Sequence, residues 1–265
     1  MDFRLPFAVA PLLIGTVTSG NARSNRPASN LGMLDQLGMT WKSDGNANLW
    51  VRGQLFEPAE IDFVSLIGGT ALPDTTIRVR LGTSAAEVDG NAAAFDSDTD
   101  PFIDPATTTA NGLYHSHTEL SNPVTATHWR IDVGNHIGDF EASGLVLGKR
   151  VTPTEYYDKD WERGIDDLGE LNINRQGVVS ERPGVVLRTL GFKLGWMNED
   201  EYEDDFRPLI EGLATRGISY WCFNPFPNKR RQGRTYLGYF QNAPFVRAGP
   251  IDGIHTMDFR IRSII

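Results

Sequence analysis

The sequence predicts a mainly β protein, with a jelly-roll β-sandwich in its N-terminal half and a smaller α+β domain behind it. Three observations carry that prediction. Apolar residues recur at every second position through Ile77-Arg-Val-Arg-Leu81 and Trp129-Arg-Ile-Asp-Val133, the period of a strand with one buried face. Clusters of Gly, Pro, Asn and Asp separate such runs, and these residues punctuate turns. A clear helical period, with its cap, appears only after Asn198.

A chain of 265 residues suits two modest domains and can bury a core without covalent staples. The expected division is an arm at 1–30, a sandwich at 31–153, a polar connector at 154–184 and an α+β domain at 185–265. In the sandwich, Ile61-Asp-Phe-Val-Ser-Leu-Ile67 ends at the turn signal Gly68-Gly69, and Phe140 to Val151 is an apolar run broken by Gly144 and Gly148. No convincing helix is read here, a turn within Leu31–Leu37 apart. The Asp-, Ala- and Thr-rich segment 89–111 reads as a long surface loop. Tyr156, Tyr157 and Trp161 are the candidate anchors of the connector.

The second domain opens with a strand whose Leu190, Phe192, Leu194 and Trp196 share a face. Asn198 then suits a helix N-cap, with Glu201 answering it as a capping box. Tyr202, Phe206, Leu209, Ile210 and Leu213 follow the spacing of one buried helical face. Pro208 is expected to kink or split that helix, and Gly217 to stop it. Strands at Ile218–Phe223, Thr235–Phe240 and His255–Ile265 complete the domain.

The formal net charge is −9. A nucleic-acid-binding protein presents a basic face to phosphates, so nucleic acid and anionic membrane surfaces are not expected partners. The lone cysteine, Cys222, lies in an apolar strand-like run and reads as a buried thiol. Phe7 to Ile14 has the length of a leader's apolar region, but Asp2 offsets Arg4 and Pro11 interrupts the run. It is also too short to span a bilayer, which takes about 20 residues. It reads as an extended arm or first strand able to pack on a neighbouring subunit.

Candidate chemistry is sparse. His115 and His117 share a strand face and could ligate zinc, with Glu119 or His128 as a third ligand; a polar strand is the plainer reading. Asp96, Asp98 and Asp100 begin like a calcium loop, yet Pro101 and Thr107 stand where an EF-hand needs Gly and Glu. No phosphate-binding glycine loop or Gly-x-Ser-x-Gly elbow is present. The acidic pair Asp166-Asp167 consists of sequence neighbours, whereas glycoside hydrolysis needs carboxylates facing across a sugar. No catalytic residue, cofactor or metal is therefore expected, and the chain reads as a non-enzyme. Trp41, Trp50 and Trp129 could line a sugar platform or fill the core. The basic cluster Lys229, Arg230, Arg231 and Arg234 is expected in a loop between two strands, read either as a solubilising loop or as a hairpin tip able to dock on an acidic neighbour.

Arg26-Pro-Ala-Ser-Asn-Leu31, Trp41-Lys-Ser-Asp44, the Ile61 and Ile77 strands, and Trp129-Arg-Ile-Asp-Val133 together resemble a galactose-binding-like, discoidin-type jelly roll. With Leu187-Arg-Thr-Leu-Gly-Phe-Lys-Leu194, the acidic helix and the closing Met257-Asp-Phe-Arg-Ile-Arg-Ser-Ile264 strand, the pattern is similar to tail-tip and baseplate proteins of long-tailed bacteriophages and gene transfer agents. The resemblance spans most of the chain as a pattern of strands and tryptophans. It implies a virion structural protein, made in the host cytoplasm and placed in the tail, that forms a homo-oligomeric ring with other tail proteins and contributes to host attachment. Phe7, Leu12, Leu13, Ile14, Lys229, Arg230, Arg231 and Arg234 are the candidate subunit contacts. A carbohydrate-binding module, with a surface glycan as partner, is the alternative. A hydrolase carrying a sandwich accessory domain is a third reading, and it requires converging carboxylates.

Overall fold

A computed structural model describes residues 4–249 and 251–265. The chain forms two compact units: residues 9–150 with the loop 226–233, and residues 4–8, 151–225 and 234–265. Both are built mainly of β-strands, the first as a jelly-roll-type sandwich and the second as an α+β fold.

The sandwich is organised by two long strands, Trp50–Ile67 and Thr118–Gly134, that run antiparallel. Their register slips between Gln54 and Ala59 and again between Ile61 and Phe63. Such bulges bend and twist a strand pair. As a result the two halves of Trp50–Ile67 take different outer neighbours: Ile14–Ser19 beside its first half and Gly144–Gly148 beside its second. Thr76–Gly82 pairs on the far side of Thr118–Gly134. The expected alternation is realised, because Ile77, Val79, Leu81, Trp129, Ile131 and Val133 all enter one buried core. Trp41 and Phe140 pack there with ring centroids 5.6 Å apart.

The opposite face of these strands is a lattice of ions. Arg80 is buried against Asp132 at 2.6 Å, Arg130 meets Asp132 and Asp89 at 2.7 Å each, and Arg52 pairs with Asp89. Asp89 closes a short helix, Ala85–Asp89, which the sequence did not announce. Its cap is Ser84, whose Oγ accepts from the Glu87 amide, while Glu87 reaches back to the Thr83 amide at 2.7 Å.

In the second unit the strand order is Arg150–Val151, Phe7–Val9, Ser219–Cys222, Thr235–Phe240, Ile254–Ser263, Val186–Asn198 and Glu162–Asp167. Phe192 and Phe259 stack with centroids 5.1 Å apart, and Phe206 of the helix lies 6.0 Å from Phe259. Trp196 is half exposed, contrary to the expected common face with Leu190, Phe192 and Leu194. The cause is a bulge between Leu194 and Met197, which turns Met197 into the core in its place.

Asn198 caps the helix as expected, its Oδ1 accepting from the Glu201 amide at 2.8 Å. Glu201 does not return the bond as a capping box; it is buried and accepts from Thr154 instead. The helical stretch is divided at Pro208, as expected: Glu199–Glu201 leads into a separate element, and a second α-helix, Arg207–Leu213, carries the proline in its first turn. A π-turn over Tyr202–Phe206 precedes it, and this wider turn relieves the demand for the amide that proline lacks. The helix ends at Leu213, ahead of Gly217.

The region read as an arm is folded into the chain's own sheets. Phe7, Ala8 and Val9 form a buried strand, and Ile14–Ser19 forms another. Its apolar run finds partners at home, so Phe7 is not free to meet a neighbour. The region read as a connector carries the strands Glu162–Asp167, Glu170–Ile173 and Val179–Arg182.

Candidate functional site

Most of the residues singled out from sequence are committed to structure. Trp41 and Trp129 are wholly buried, which leaves no sugar platform with Trp50. Trp50 itself is covered by the Arg130 guanidinium, 4.6 Å from its ring. His115 accepts from the Gly68 amide at 3.1 Å, and His117 bonds Glu119 at 2.6 Å. Glu119 pairs with Arg150, whose Nε lies 3.2 Å from Asp62. Burial lowers the His117 pKa, against the opposing pull of Glu119. Among the described residues no group of three His, Cys, Asp or Glu is placed to hold a metal ion.

Asp96 gives both carboxylate oxygens to Arg78 and receives the Asp98 amide at 3.1 Å. That leaves the acidic triplet without the convergent oxygens of a calcium loop. Asp100 is pushed up, chiefly by burial and then by Asp104 and Asp98. Cys222 is buried, as expected.

The basic cluster is divided. Lys229 and Arg230 are exposed, but Arg231 is buried 3.8 Å from Asp104. The loop that carries them is tied into the sandwich unit. Gln232 exchanges two hydrogen bonds with the His115 backbone, at 2.9 and 2.8 Å, and Thr107 donates to the Lys229 carbonyl at 3.1 Å. Of the other candidate contacts, Leu13 is exposed, whereas Leu12 and Ile14 are half-buried.

Arg234 points elsewhere, into a pocket of about 330 Å³ in the α+β unit lined by Tyr156, Tyr157, Trp161, Phe223, Asn224 and Arg163. Asp158 and Lys159 line it as well. Tyr157 stacks on Phe223 at 4.1 Å and lies tilted against Tyr156 at 4.2 Å. Trp161 meets Phe223 edge-on at 5.5 Å and remains 43% exposed. The Tyr157 hydroxyl donates to the Tyr156 hydroxyl at 3.1 Å, and its pKa is raised, chiefly by burial and then by that bond. Arg163 is held by donating from Nε to the Tyr236 hydroxyl at 2.8 Å. Aromatic walls and fixed planar donors thus converge on one concavity. The sequence marked Tyr156, Tyr157 and Trp161 only as anchors. Their partners Phe223, just past the strand Ser219–Cys222, and Arg234, at the end of a short 3-10 turn, lie far along the chain, so no local pattern joined them.

No protein-family model matches the chain, and no curated protein matches it. Solved structures do resemble it. One is a fucose-binding module from Streptococcus pneumoniae, 7% identical, covering 53% of this chain and 95% of that one, with a TM-score of 0.38. Another is the family 32 carbohydrate-binding module of C. perfringens NanJ in complex with galactose, 12% identical, covering 55% and 100%, with a TM-score of 0.40. A third is XRCC1 bound to the DNA polymerase β catalytic domain, 14% identical, covering 53% and 98%, with a TM-score of 0.37.

Proposed function

We propose that this protein binds carbohydrate in the pocket between Tyr156, Tyr157, Trp161 and Phe223, and that it does so without catalysing a reaction. The observation that carries the proposal is the half-exposed Trp161 indole at the mouth of a stacked aromatic wall that also holds Arg163, Arg234 and Asn224. The CH face of a sugar ring packs on an aromatic face as other apolar groups do. Guanidinium and amide groups supply the fixed donors that sugar hydroxyls and ring oxygens accept. A volume of about 330 Å³ falls at the lower end for small-molecule sites and suits a single sugar ring. Asp158 is the one carboxylate among the pocket's described lining residues. Glycoside hydrolysis uses two across the scissile bond, which supports binding without turnover.

Host attachment through a surface glycan is the part of the tail-tip reading that the pocket supports. A place in a phage tail rests on the sequence resemblance. Galactose and fucose, the sugars named for two of the similar structures, are the first to test. Titration should quench or shift tryptophan fluorescence, and a broad glycan array should identify the preferred ligand. Trp161→Ala should weaken binding at least about tenfold, whereas Trp50→Ala should leave it unchanged. Binding to no glycan on the array, or binding that survives both Trp161→Ala and Tyr156→Ala, would overturn the proposal.

A further inference from the structure

Among the described residues the strands Glu170–Ile173 and Val179–Arg182 pair only with each other, in a register of Glu170 with Arg182, Leu171 with Glu181, Asn172 with Ser180 and Ile173 with Val179. Every residue of both strands is exposed. The hairpin extends the ladder between Glu162–Asp167 and Val186–Asn198. At the joint Gly184 lies against the Gly169 backbone so closely that a Cβ there would collide with it. The sequence of this hairpin nevertheless has the alternation of a half-buried sheet. Leu171, Ile173 and Val179 occupy one face, and Glu170, Asn172, Ser180 and Arg182 the other. Ile165 and Val186, in the adjoining ladder between Glu162–Asp167 and Val186–Asn198, are exposed as well. These five side chains are 53–69% exposed.

An isolated two-stranded hairpin is marginal in water, and an alternating pattern implies a cover for its apolar face. Leu168, Val178 and Val185 nearby are also 53–63% exposed. Exposed apolar side chains gathered on one sheet face mark an interaction surface.

We propose that the cover is the same hairpin of a second copy, packed face to face about a two-fold axis at the Ile173–Val179 pair. The charges fit that symmetry. Arg175 stands two positions beyond Ile173, toward the tip. Glu181, level with Leu171, stands two positions on the other side. An antiparallel face-to-face pairing therefore sets each copy's Arg175 diagonally across from the other's Glu181, one strand spacing away and within reach of its long side chain. Glu181 and Asp167 line a concavity of about 220 Å³ with Leu171 and Val186. Such an isologous contact is self-complementary, with an apolar centre and two equivalent ion pairs.

Sedimentation of the full chain over a concentration series tests the proposal. A monomer–dimer equilibrium is expected, with Leu171→Asp/Val179→Asp monomeric at an unchanged far-UV spectrum. Arg175→Glu should weaken the dimer about tenfold or more, and Arg175→Glu combined with Glu181→Arg should restore it. Ile173→Cys should yield a covalent dimer on oxidation. A full chain that stays monomeric at its solubility limit would overturn the proposal. So would a dimer indifferent to the Leu171/Val179 substitutions, or a charge exchange that fails to restore association; these outcomes would point to a different partner for the hairpin.

Discussion

Glu201 accepts two hydrogen bonds from Thr154, one from the backbone amide at 3.0 Å and one from the hydroxyl at 2.7 Å. Its own amide is meanwhile held by Asn198. One carboxylate thus fixes the start of the helix to the segment that leads into the aromatic pocket.

Glu201→Ala should destabilise the protein by about 2–3 kcal/mol, because hydrogen bonds to a charged acceptor are lost and the Thr154 donors are left unpaired. Glu201→Gln should cost about half of that, since its amide oxygen can still accept. Urea unfolding followed by circular dichroism measures both. Equal costs for the two substitutions would show that packing, rather than the carboxylate, is what matters at this site.

His117 makes stability depend on pH. Its ring is buried edge-on to Phe63 at 5.2 Å, and burial holds its pKa below the ordinary 6.5. Glu119 opposes that shift, while Arg231 and Arg150 reinforce it. Below about pH 6.5 the unfolded chain takes up a proton that the folded chain resists, so stability is full above that pH and falls as the pH drops. The urea midpoint should therefore decline on acidification from pH 7.5 toward 5.5. His117→Gln should flatten that decline; a slope unchanged in the variant would assign the effect to other groups.

What was legible in the sequence follows from how local each signal is. The strands at Ile77 and Trp129 could be read because their alternation is unbroken, and the helix start because Asn198 caps a regular period. The exposure of Trp196 could not be read, since the bulge beside it arises from pairing with Met257 and His255 some sixty positions away. The pocket could not be read either, because Tyr157 stacks on a phenylalanine, Phe223, more than sixty positions away. The hairpin at 170–182 was hidden for a different reason: its polar face dilutes the apolar one until the segment looks like a connector. The tryptophans show the limit of composition. Trp41, Trp50 and Trp129 are alike in sequence, yet two fill the core and the third lies beneath arginine.

Gly53 and Trp129 provide the sharpest test of sandwich packing. They are direct partners in the ladder between the two long strands. A Cβ on Gly53 would collide with the Trp129 ring and would also come within 3.0 Å of the Thr16 carbonyl. The missing side chain is thus the space that lets the indole lie across the strand. Gly53→Ala should cost about 2 kcal/mol through overpacking. Trp129→Ala should cost about 4 kcal/mol through the cavity it leaves, tempered because the buried indole nitrogen has no hydrogen-bond partner among the described residues. In the double variant the new methyl group meets empty space where the ring had been, and only the crowding at Thr16 persists. The combined loss should therefore stay near that of Trp129→Ala alone, leaving a coupling of about 1–2 kcal/mol between the two sites. Simple addition of the two single costs would mean that Gly53 is required by its backbone and the Thr16 carbonyl, with the tryptophan playing no part.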